Sequence, residues 1–171
     1  MTSDPIMLFF LVLHVITAGF WVSQFVAEQA VARVARMLKG KPGEAAALAA
    51  QGRVATALGS SGGLGVLITG LVLTYGFHYG ILSIGGVRTP GWLAIMQLVY
   101  VVALLIFVVV VGPGARKVGP LLGQAAAAGQ PVPADAQAQF DRLQLASRLV
   151  NLLVLINMFV GILGVNGGIL P

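Results

Sequence analysis

The chain has 171 residues, 58% of them hydrophobic and only 9% charged, with a mean hydropathy of +0.96 and a formal net charge of +5. So little polar surface excludes a water-soluble globule and leaves lipid as the solvent for most of the molecule. The absence of cysteine excludes disulfides, thiol nucleophiles, iron–sulfur clusters and cysteine-based zinc sites. The basic residues lie in loops beside apolar runs, where they set topology and meet lipid headgroups, so nucleic acid is not an expected partner.

A bilayer core about 30 Å thick needs roughly 20 apolar residues per helical crossing. Four runs meet that requirement, which predicts an all-α, four-transmembrane-helix bundle with residues 1–171 forming a single membrane domain. Span 1 is expected over residues 5–27, with Pro5 in the first turn, where its missing N–H costs nothing. No basic residue precedes it, and Phe9-Phe10-Leu11-Val12 continues without a small-residue cleavage motif, so the segment reads as a helix rather than a signal peptide. Glu28 to Lys39 and Glu44 to Arg53 are alanine-rich, charged and free of internal proline, which predicts helical extensions on the cytoplasmic side.

Span 2 is expected over residues 54–84 and span 3 over residues 91–111. Gln124 to Gln130 reads as a low-complexity surface connection. Asp135, after the Pro131-Val132-Pro133 break, reads as the N-cap of a helix leading into span 4 over residues 149–170. Gly59-x-x-x-Gly63, Ser61-x-x-x-Gly65 and Gly164-x-x-x-Gly168 place small residues one turn apart, a device for close helix packing or for approach of a flat cofactor or partner. Arg33, Arg36, Lys39, Lys41 and Arg53 lie between spans 1 and 2, and Arg116, Lys117, Arg142 and Arg148 between spans 3 and 4, whereas the middle loop has only Arg88. The positive-inside rule then places the two basic loops in the cytoplasm and both termini on the outer side of an inner (plasma) membrane.

Polar residues inside a span are expensive and therefore informative. His14 lies roughly 13 Å from the outer end of span 1, His78 roughly 9 Å from that of span 2, and Gln97 at a similar depth on span 3. Two neutral imidazoles in one layer, with Gly19 and Trp21 beside His14, suit axial ligation of a b-type haem, and Arg88 on the outer loop suits its propionates. Metal ligands would then be His14 and His78. Copper is a poorer fit, because the nearest methionines, Met7 and Met96, form no ligand spacing. No Asp or Glu falls within any expected span, which leaves no carboxylate relay for protons. Asn151, Asn157 and Asn166 read as interhelical hydrogen-bonding groups.

His14-Val-Ile-Thr-Ala-Gly19-Phe-Trp21, followed by Arg33 and Arg36, together with Gly62-Gly63-Leu64-Gly65-Val66-Leu67-Ile68-Thr69-Gly70-Leu71 and Ser147-Arg148-Leu149-Val150-Asn151, resembles a group of small bacterial membrane proteins. These are the proteins related to HemJ-type protoporphyrinogen oxidases and CopD-like domains, including an uncharacterised integral-membrane family. The resemblance implies a haem ligand at His14. It does not carry the oxidase activity, because Gln97 stands where that family has an important lysine and Asn151 is followed by Leu152 and Leu153 in place of its Asn-Glu-Pro-like motif. The expected function is therefore b-type haem binding and electron transfer near the outer face, with quinone or a redox carrier as partner. The alternatives are a cofactor-free accessory subunit of a larger membrane complex or homo-oligomer, and a porphyrinogen oxidase.

Overall fold

A computed structural model describes residues 4–41, 43–82, 84 and 88–165. Among these residues there are four long helical rods and no strand. Helix α1 spans Pro5–Met37 and α2 spans Glu44–Gly76; the third rod comprises α3, Gly91–Ile106, a π turn, Phe107–Val111, and α4, Gly112–Ala127; α5 spans Ala134–Val165. Each rod is long and apolar enough to cross a membrane. A 33-residue helix is roughly 50 Å long at 1.5 Å per residue, which exceeds the hydrocarbon core and leaves a projecting end.

The helix limits have local causes. Asp4 caps α1 by accepting the Ile6 N–H at 2.9 Å, and Pro5 takes the first helical position. Asp135 is a first-turn residue of α5 rather than its N-cap, with its carboxylate near the positive end of the helix dipole. The alanine-rich stretch after Gln124 continues α4 to Ala127 instead of forming a connection. Gly129 (φ 62) then ends it in a Schellman motif, with Gly129 N–H donating to the Ala126 carbonyl and Gln130 N–H to that of Ala125. The π turn is closed by Gly112 N–H donating to the Phe107 carbonyl, one residue before Pro113, which has no N–H to continue a regular ladder.

Two cores stack along the bundle. Trp21, Ala103 and Val150 form the first, with Val66, Tyr100, Ile106, Leu153 and Val154 packed round it. Ala35, Leu48, Val118, Leu122 and Phe140 form the second, at the end carrying the α1–α2 connection. Around the first core the outward positions are large and apolar, including Val15, Leu64, Val101, Leu152 and Phe159, as lipid contact requires.

The small residues of α2 are consumed inside the chain. A side chain on Gly62 would meet the backbone of Trp21 at 2.7 Å, one on Gly65 would meet Thr17, and one on Gly59 would meet the Gln24 amide. Gly161 and Gly164 admit Met96 and Trp92 in the same manner, whereas Gly168 lies outside the described residues. Close packing of α1 on α2 therefore uses the glycine stripe and leaves little of it for a partner.

Candidate functional site

His14 sits on α1 against α2. Thr69 Oγ1 gives its proton to the Gly65 carbonyl at 2.6 Å and so must accept from His14 Nδ1 at 2.8 Å. In the neutral ring this puts the proton on Nδ1 and leaves Nε2 with its lone pair. His14 lines a cavity of about 60 Å³ with Trp21, Met96, Tyr100, Asn157 and Met158. Asn157 Oδ1 is buried without a hydrogen-bond partner among the described residues. Trp21 is buried and stacks edge-on to Tyr100 at 5.7 Å, while Tyr100 donates to the Gly63 carbonyl at 2.9 Å.

His78 is elsewhere. Helix α2 stops at Gly76, eight residues before the expected end of the span, and His78 lies exposed in the turn that follows, with φ 56. Its N–H donates to the Tyr75 carbonyl and the Tyr79 N–H to that of Thr74, so His78 fills in α2 the left-handed Schellman position that Gly129 fills in α4. His14 contacts α2 at Thr69 and Gly70, and seven residues of helix from Thr69 to Gly76 separate that level from the turn by roughly 10 Å. The two imidazoles therefore lie at different levels, His14 between α1 and α2 and His78 exposed in the turn beyond α2. A cavity of about 60 Å³ is also far below the several hundred Å³ that a ligand-sized pocket needs. A haem between His14 and His78 finds no preformed pocket of its size among the described residues at this level.

Replacing His78 with glycine separates the two roles. His78→Gly is expected to leave stability unchanged or raise it by about 1 kcal/mol, since glycine adopts the left-handed region without penalty. A fall of the thermal midpoint would contradict the turn role.

The remaining expected site residues serve other ends. Gln97 anchors the α2–α3 loop by accepting the Leu82 N–H at 2.7 Å and donating to the Gly80 carbonyl at 3.2 Å. Leu82 is held there at φ 50, and Thr89 donates to the same Gly80 carbonyl. Gln97→Leu is expected to cost about 1–2 kcal/mol for two lost hydrogen bonds and to speed amide exchange across the loop; unchanged exchange would remove Gln97 from this role. Arg88 is exposed on the same loop, and Gly19 is exposed with nothing within 4 Å of a side chain placed on it.

A second, much larger cavity lies at the other end, against the second core. It has a volume of about 660 Å³, and its walls come from α1, α2, the π turn, α4 and α5. At its head stands Glu28, 5% exposed. Gln24 donates to its carboxylate at 2.7 Å, Ser147 at 3.0 and 3.2 Å, and Asn151 at 3.1 Å. Glu28 lies one residue past the expected span, on the predicted helical extension: α1 runs unbroken past residue 27, and its inward stripe of Trp21, Gln24, Glu28, Ala32 and Ala35 recurs at three- and four-residue spacing. Asn151 has the interhelical bonding role expected of it; Asn166 lies outside the described residues.

The wall also holds Gln51, 6% exposed, whose Oε1 has no hydrogen-bond partner among the described residues. A buried polar atom without a partner is uncommon and costly, and Gln24 Oε1 on the same wall shares this condition. Arg53 and Arg148 are exposed at the rim. Alanine, leucine, valine and phenylalanine supply most of the remaining lining. A largely apolar cleft with a few convergent polar groups has the constitution of a small-molecule site.

No family model matches this chain, and no curated protein or solved structure is similar to it at a significant level.

Proposed function

We propose that this chain is a four-span protein of a bacterial inner membrane, with both termini outside, that binds an amphipathic small molecule in the cavity beneath Glu28. The observation that carries this reading is the union of a ligand-sized cavity with the hydrogen-bonded Glu28 and the unpartnered Gln51 Oε1 on its wall. The orientation rests on the nine Lys and Arg residues at the cavity end against Arg88 alone at the other. The cavity then faces the cytoplasmic side.

Haem-based electron transfer lacks support from a paired ligand set, and a scaffold role through the glycine stripe lacks its surface, because α1 covers that stripe. A difference spectrum of protein produced with ample haem is expected to show no b-type bands. Bands abolished by His14→Ala would overturn that expectation and restore a porphyrin to the His14 layer.

Native mass spectrometry from mild detergent tests the binding reading. The chain is expected to retain one small-molecule adduct, and bulk introduced by Ala115→Trp or Ala49→Phe, both on the cavity wall, is expected to remove it. An adduct unaffected by both substitutions would refute the assignment to this cavity.

A further inference from the structure

Resting on that reading, we propose that the ligand is an anionic glycerophospholipid whose phosphodiester lies between Arg53 and Arg148 and whose headgroup carries a hydroxyl donor to Gln51.

Three observations select this chemistry. The cavity wall carries one carboxylate, Glu28, against two guanidiniums, Arg53 and Arg148, which leaves one positive charge in surplus. Glu28 already accepts from Gln24, Ser147 and Asn151, whereas among the described residues neither arginine has an ion-pair partner. A singly charged phosphodiester balances the surplus, and arginine's planar fork matches its oxygens. Gln51 Oε1 is an acceptor and therefore asks for a donor on the ligand, which a hydroxyl-bearing headgroup supplies and a quaternary ammonium does not.

The mouth also lies where a lipid would reach it. Arg148 is flanked on α5 by the exposed apolar residues Leu145 and Leu149, so the charged rim meets the start of the lipid-facing belt. Basic sites between spans on the cytoplasmic side suit anionic headgroups, and the alanine, valine and leucine lining suits the apolar body behind them.

The test uses the full chain, delipidated in detergent and titrated with phosphatidylglycerol, phosphatidylmethanol, phosphatidylcholine or glycerol phosphate, with thermal stabilisation and native mass spectra as readouts. Phosphatidylglycerol is expected to bind at 1:1 and to weaken roughly fivefold in each of Arg53→Gln and Arg148→Gln. It is also expected to be favoured over phosphatidylmethanol, which has the phosphodiester without the hydroxyl, and Gln51→Leu should abolish that preference while leaving the fold intact. Equal binding of phosphatidylcholine, or indifference to both arginine substitutions, would overturn the ligand class while leaving cavity binding in place. Equal stabilisation by glycerol phosphate would overturn the lipid in favour of a soluble phosphate. Binding that persists in both Ala115→Trp and Ala49→Phe would show ordinary surface lipid and remove the cavity reading itself.

Discussion

Glu28→Ala is expected to lower the stability of the bundle by about 3 kcal/mol. The substitution removes the acceptor shared by Gln24, Ser147 and Asn151 and leaves donors from two helices without partners in a buried setting. At roughly 2–4 °C per kcal/mol for a chain of this size, the thermal midpoint in detergent should fall by about 6–12 °C. Glu28→Gln keeps the shape and one acceptor oxygen, so its loss should be smaller. A midpoint for Glu28→Ala within about 1 °C of wild type would mean that the carboxylate does not tie α1 to α5.

The second large effect is expected at the α1–α2 contact. Gly62→Ala places a methyl group 2.7 Å from the Trp21 nitrogen and 3.0 Å from its Cα. These are backbone atoms that cannot turn aside, so the helices must separate, at a cost of about 1–3 kcal/mol. The disturbance should spread to the Trp21–Tyr100 pair and appear as a shift of tryptophan fluorescence. Gly19→Ala is the matched control on the same pair of helices. With open space around it, it should be neutral or stabilising by up to about 1 kcal/mol, the helix-propensity gain of alanine over glycine. Equal effects at both positions would show that helix propensity, not close packing, governs these glycines.

The four long apolar helices are legible from composition because a helix able to cross lipid must be long, apolar and internally hydrogen-bonded. The projecting ends are legible from the proline-free, alanine-rich runs after residues 27 and 43. The end of α2 is not, because Ile81, Leu82 and Ile84 keep the hydropathy high past the real stop and the left-handed residue is a histidine where glycine would have announced the turn. A span running to residue 84 therefore puts His78 on a helix face in the layer of His14, where the structure has a turn.

Glu28 is less legible because it is the first charge after an apolar run, a position that composition alone reads as solvated. The signal was present in the spacing of Trp21, Gln24, Glu28, Ala32 and Ala35, which keeps one stripe inward along the whole of α1. Gln51 shares this character on α2, where Leu48, Gln51, Gly59 and Gly62 form the facing stripe. Two polar residues on matching inward stripes mark the site better than the intramembrane histidines do. What spacing alone leaves out is the void itself, whose size depends on how α4 and the π turn stand off from α1 and α2.

The absence of native cysteine allows a direct measurement of that void. Single cysteines placed at Ala49 and Ala115 on the large cavity, and at Ala18 on the small one, can be exposed to a membrane-impermeant thiol reagent in oriented vesicles. Ala49→Cys and Ala115→Cys are expected to label from the basic side only, and to be protected by added phosphatidylglycerol, while Ala18→Cys stays unlabelled. Labelling of Ala18→Cys, with Ala49→Cys and Ala115→Cys inert from either side, would contradict an open ligand site beneath Glu28 and move the functional centre back to His14.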